Sequence, residues 1–168
     1  MRNISEMGII QIDITNSCTN RCSNCTRFCG HYTKDRIYFM DKDYFIAALT
    51  SLKDFDGIVG IIGGEPTLHP QFEEFCKIFK ELKPNKAKRG IWSNTGGNFN
   101  KYKDIIDDTF GFFNLNDHTR NIMHTPILVA SEDIVLDTNE RTRLIDSCWI
   151  QNYWSASINP NGAFFCEV

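Results

Sequence analysis

The 168-residue chain has no uninterrupted apolar stretch long enough to cross a bilayer, a span that takes about 20 residues. It shows no signal-peptide pattern either, because Met1 to Glu6 is polar and Gln11 and Asp13 soon break the apolar residues that follow. Neither sign of charge dominates. A net charge of -3 gives no sign of a broad basic surface for nucleic acid or an anionic membrane. Internal repeats, low-complexity tracts and a clear linker are also missing. With 42% hydrophobic residues, this length predicts a single soluble globular domain with a substantial core. Cysteine is abundant by contrast. Seven cysteines, an odd number without a secretion pattern, point to metal ligation in a reducing cytoplasm rather than to a disulfide framework.

Three of them are spaced Cys18-x3-Cys22-x2-Cys25, directly after the apolar run Ile9 to Ile14. Three thiolates on one short loop suit a 4Fe-4S cluster with one iron left open, whereas ordinary electron carriers close the site with a fourth. A second signature, Gly63-Gly64-Glu65-Pro66, follows the apolar run Ile58 to Ile62. Glycine lets a backbone approach a ligand closely, and a glutamate accepts hydrogen bonds from an ammonium. Together these ordered motifs resemble the radical S-adenosylmethionine (radical SAM) superfamily. The resemblance implies that the open iron chelates the amino and carboxylate groups of SAM, and that Gly63 to Pro66 lie against its amino group. Asn24 stands where many members carry an aromatic residue against adenine, so neither Phe28 nor Tyr32 is assigned that contact.

The pattern of elements alternates between strand and helix. Ile9 to Ile14 reads as the first strand. Asp41 then caps a helix with Tyr44, Phe45, Ala48, Leu49 and Leu52 on one face. Ile58 to Ile62 is the second strand, and Pro70 opens a helix with Phe72, Phe75, Cys76, Phe79 and Leu82 in phase. Gly90 to Ser93 and Phe110 to Leu115 are further strands, separated by a short helix carrying Phe99, Tyr102, Ile105 and Ile106. Pro126 to Ala130 is a candidate fifth strand. Asp137, with Glu140 three later, begins a helix expected to run through Trp149, and Trp154 to Cys166 reads as a hairpin about Asn159-Pro160-Asn161-Gly162. Such repetition predicts an α/β fold, a partial (β/α) barrel of parallel strands with helices outside and a small C-terminal hairpin appendage. Residues 1–135 would form the radical SAM core. Residues 136–168 would begin a cysteine-containing extension, similar to a truncated SPASM or twitch segment, and the abrupt end after Cys166 suggests a fragment.

In such folds ligands lie beyond the carboxyl ends of the strands. Ser93 and Asn94 end the third strand, where the family meets the ribose or carboxylate of SAM, although turn chemistry accounts equally for them. Asn114, Asn116, Asp117 and His118 follow the fourth strand, with Asn114 nearest its end. Cys29 is read as a small loop residue, with a spare ligand or reactive thiol as alternatives, and His31 as a turn cap. Cys76 is read as core, Cys148 as core or auxiliary ligand, and Cys166 as the better auxiliary-cluster candidate. His69 and His124 precede Pro70 and Thr125-Pro126 and carry no assigned chemistry. Trp92, Trp149 and Trp154 are expected in the core.

The resemblance implies an enzyme. A 4Fe-4S cluster would cleave SAM reductively to a 5'-deoxyadenosyl radical that abstracts hydrogen from a peptide or carbohydrate-type substrate, with electrons from a reductant such as a flavodoxin or ferredoxin. The segment from Trp154 is also similar to bacterial radical SAM proteins of surface-sugar biosynthesis. The alternative is a non-catalytic iron-sulfur electron carrier or a zinc-stabilised module, with Cys29 or His31 supplying a fourth ligand.

Overall fold

The computed structural model describes residues 3–22, 25–116 and 130–166. The four isoleucines of β1 (Ile9–Thr15) put this strand at the centre of a six-stranded sheet. On one side follow β2 (Ile58–Gly63), β3 (Arg89–Ser93) and β4 (Phe112–Leu115), each parallel to its neighbour. On the other side lie β5 (Ser155–Asn159), parallel to β1, and β6 (Gly162–Phe164), antiparallel to β5. The expected C-terminal hairpin is present, and its first strand is also a full member of the main sheet, Gln11 standing opposite Ser157.

Side chains alternate across a strand, and the two faces differ sharply. Ile10, Ile12 and Ile14 join Val59, Ile61, Ile91 and Ala156 in the hydrophobic core. The opposite face carries Gln11, Asp13, Gly60, Trp92, Ser155 and Ser157. A strand read as alternating is therefore buried on both sides, its polar half turned inward.

The core is closed by α1 (Lys42–Ser51), α2 (Phe72–Leu82) and α3 (Lys103–Thr109). The Asp41 side chain accepts from the Asp43 N–H at 2.8 Å, as its capping position predicts. Phe45, Ala48, Leu49 and Leu52 are buried, but Tyr44 is exposed. Tyr44 sits about 100° round the helix from Phe45, and the buried stripe is complete without it. On α2, Phe72, Phe75, Cys76 and Phe79 are all buried, with the Phe45 and Phe75 rings stacked 4.3 Å apart. Pro70 stands just before the helix, whose N-cap is Gln71. Cys76 is a core residue, as read, and burial pushes its thiol up to about 12.

After β4 the chain continues in α4 (Ser131–Ile134) and α5 (Thr138–Asp146). Asp137 caps α5 by accepting from Glu140 N–H at 2.7 Å, but the helix stops well short of Trp149. The Asn152 carboxamide donates to the Asp146 and Cys148 carbonyls, and Ile150–Trp154 winds into a wide π-helical turn that leads into β5. Only Trp92 is buried as expected. Trp149 is exposed and stacks on Trp154 at 5.2 Å, while Trp154 faces a cavity. The candidate strand Pro126 to Ala130, together with Asp117, His118 and His124, falls on positions outside the described residues except for Ala130, as does Asn24. No helix among the described residues is long and apolar enough to cross a membrane.

Candidate functional site

Parallel strands bring their carboxyl ends to one edge of the sheet, and there a cavity of about 250 Å³ opens. Cys18, Cys22 and Cys25, on the loop after β1, form one wall. Gly63 and Gly64 after β2, Ser93 and Asn94 after β3, and Asn114 on β4 form the other. Residues distant in sequence thus converge on one space. Trp92, Trp154 and Arg27 also line it.

The glycine pair is needed first of all by the cysteine loop. A Cβ on Gly63 would lie 2.2 Å from the Thr15 carbonyl oxygen, and one on Gly64 would lie 2.2 Å from that of Ser17. Only glycine admits this approach. The Gly64 and Glu65 N–H groups donate to those same two carbonyls, each at 2.8 Å. The second motif therefore grips the start of the first.

Glu65 is fully buried and does not line the cavity. Its Oε1 accepts from Thr67 N–H and Thr67 Oγ1, at 3.2 and 2.7 Å. Its Oε2 accepts from Ser93 Oγ and Asn94 N–H, at 2.8 and 2.9 Å. A carboxylate offers about four lone-pair positions, so these donors saturate it. Burial raises its pKa and the hydrogen bonds oppose the rise. Glu65 thus bolts the β2 loop to the β3 loop instead of presenting an acceptor to a ligand's ammonium. Pro66 begins the short 3-10 turn Pro66–Leu68, buried and away from the cavity. Ser93 uses its single proton on Glu65 and accepts from Thr95 N–H at 2.9 Å. Asn94 accepts from Gly96 N–H at 2.7 Å and donates to Cys18 Sγ at 3.2 Å. Asn114 keeps a carboxamide without a side-chain partner among the described residues.

No protein-family model matches the chain. It is 32% identical over 83 residues to the protein named "Probable GTP 3',8-cyclase" of Methanocaldococcus jannaschii, a match covering 49% of this chain and 26% of that one. The chain thus spans about a quarter of that relative. Among solved structures, BtrN in complex with AdoMet and 2-DOIA superposes with a TM-score of 0.61 at 18% identity, over 95% of this chain and 73% of the other. Streptococcus suis SuiB bound to S-adenosylmethionine superposes at 0.52 with 12% identity, over 97% and 61%. The chain shares the fold of these solved structures, a mostly parallel sheet with helices packed around it.

Within that fold the three thiols have unequal surroundings. Burial raises the Cys18 thiol, against a hydrogen bond from Asn20 N–H at 3.4 Å. Cys25 is lowered to about 5, chiefly by the Cys29 side chain beside it. Cys29 is buried, and its thiol donates within the loop to the Arg27 carbonyl oxygen at 3.7 Å. His31 takes its turn-capping role, with Nε2 3.0 Å from the Cys22 carbonyl. Among the described residues no group of three His, Cys, Asp or Glu side chains is gathered around a single metal position.

Behind the loop, Arg27 pairs with Asp13 at 2.8 Å and donates to Gln11 at 3.3 Å. Burial still holds the Asp13 carboxyl above its ordinary value. Asp13, Arg27 and Cys29 also line a second cavity of about 370 Å³, closed by Tyr38, Ser157 and Cys166. Cys166 thus faces this second space and not the first. Arg27 lay unremarked in the cysteine loop, and its lone charge between Cys25 and Cys29 was the available signal.

Proposed function

We propose that this chain is a radical SAM enzyme, with Cys18, Cys22 and Cys25 holding three irons of a 4Fe-4S cluster and SAM occupying the adjoining cavity. The observation that carries this reading is the meeting of the three thiols with Gly63, Gly64 and Asn114 around one cavity at the strand ends. Soft thiolates suit iron-sulfur ligation. Held by Cys18, Cys22 and Cys25, the cluster would supply one-electron chemistry for reductive cleavage of SAM and so for hydrogen abstraction from the substrate.

The chain's residues bind, orient and enclose. Gly63 and Gly64 let the β2 loop press against the cysteine loop, so that the thiols and the SAM surface keep one register. Asn114 offers an uncommitted carboxamide to SAM. Pro66 and Glu65 act from behind, through the loops they hold. Trp92 and Trp154 restrict water, in keeping with a protein that positions a cofactor carrying the hard chemistry. A flavodoxin or ferredoxin is the proposed reductant in a cytoplasmic setting, and the substrate is a peptide or carbohydrate-type molecule. Residues 1–135 form the proposed core. Residues 136–168 begin the proposed extension, with Cys166 as an auxiliary-ligand candidate.

The test is anaerobic reconstitution, quantifying iron and sulfide and then assaying 5'-deoxyadenosine with reductant and SAM, against Cys22→Ala. Cysteine-dependent deoxyadenosine is the expected result. A cluster that forms but never cleaves SAM, and that is lost in Cys29→Ser, would make the chain a four-thiolate electron carrier. Zinc without sulfide would overturn the reading.

A further inference from the structure

We infer that Asn94 is a positioning residue for the Cys18 thiolate and sets the reduction potential of the cluster proposed above, on which this inference rests. Asn94 Nδ2 lies 3.2 Å from Cys18 Sγ, across 76 residues of sequence. Its orientation follows from chemistry. The Gly96 N–H, 2.7 Å from Oδ1, needs an acceptor, so the oxygen faces Gly96 and the amino group must face the sulfur.

The backbone is equally constrained. Asn94 N–H is held by Glu65 Oε2 at 2.9 Å, and that carboxylate is buried and saturated. A Cβ on Gly96 would stand 2.7 Å from Thr19 Oγ1, so the β3 loop packs directly on the cysteine loop. Turn formation alone explains the Oδ1 contact, because aspartate or serine makes the same turn. It does not explain a donor aimed at a cysteine sulfur. With Asn20 N–H at 3.4 Å on the same atom, Cys18 receives two N–H donors. Donors to a ligand sulfur stabilise the added negative charge of a reduced cluster and raise its potential.

The test is an EPR-monitored redox titration of the anaerobically reconstituted full chain, comparing the wild type with Asn94→Asp and Asn94→Ser. Both variants keep an acceptor for Gly96 N–H and lose the amide donor. Poised where half the wild-type clusters are reduced, Asn94→Asp is expected to show a reduced-to-oxidised ratio about tenfold lower. That is a downward shift of about 59 mV for one electron. Asn94→Ser, lacking the added charge, shifts in the same direction by less. Iron and sulfide per chain stay at the wild-type level. Wild-type titration curves in both variants, with full iron and sulfide, would overturn the inference alone. Loss of the cluster from both would overturn it too, by making Asn94 a determinant of assembly. A wild-type chain that binds no sulfide would remove the underlying enzyme reading, and this inference with it.

Discussion

The two flanks of β1 are built differently. Toward β2 and β3 the loops are locked to one another by backbone hydrogen bonds, a saturated buried carboxylate and glycines that tolerate no Cβ. Toward β5 and β6 the neighbours are polar and more open: Ser155 Oγ has no partner among the described residues, and Phe164 and Phe165 are exposed. The contrast teaches that the cysteine loop is referenced to one flank only. Its position comes from β2 and β3, while the other flank leaves room beside Asp13, Arg27 and Cys166.

The largest test of that contrast compares two aromatic residues. Phe75→Ala, beneath the locked flank and fully buried, should cost about 3–5 kcal/mol in denaturant unfolding. Phe164→Ala, exposed on β6, should stay within about 0.5 kcal/mol. Equal costs would erase the distinction. Next comes Glu65→Ala, which strands donors from Thr67, Ser93 and Asn94. A loss of about 3 kcal/mol is expected, with lower iron content after reconstitution. Glu65→Gln should lose less, and unaltered stability in both would remove the bolt from the argument.

Glycines sharpen the comparison further. Gly64→Ala drives a Cβ against the Ser17 backbone and should cost about 1–3 kcal/mol while displacing Cys18. Gly162→Ala meets nothing within 4 Å, and its only penalty is a φ of 140°, so about 1 kcal/mol is expected. Thermal melts and iron content of the pair would reveal a reversed order.

The smallest effect is a pH dependence. His69 is buried, donates through Nε2 to the Met40 carbonyl and accepts from Gln71 N–H at Nδ1, and burial lowers its pKa. The folded state therefore binds this proton less readily than the unfolded chain does. Its contribution is present above the ordinary value of about 6.5 and is lost as pH falls from there toward the depressed folded value. Tm should fall over that interval more steeply in the wild type than in His69→Gln, and parallel curves would exclude the linkage.

Much of this was readable in local pattern. The periodicities of β1, α1 and α2 and the capping by Asp41 and Asp137 depend on neighbours a few residues away. The cysteine and glycine motifs were likewise visible, as was their delivery to strand ends. The saturation of Glu65 was not, because its donors lie two residues away at Thr67 but 28 and 29 away at Ser93 and Asn94. Tyr44 was misread because helical phase says which residues share a face but not how wide a face the sheet will cover, and Trp149 because α5 ends at Asp146, before reaching it.

The sequence by itself determined the order of elements, the chemistry of the thiols and the places where only glycine would serve, because propensity, periodicity and donor identity are local properties. Only the tertiary structure decided that Glu65 is saturated by Thr67, Ser93 and Asn94, that Asn94 turns its amide to Cys18 and that β5 completes the sheet beside β1. Those outcomes depend on which buried donors and acceptors meet across long separations, and they are settled by the requirement that each find a partner.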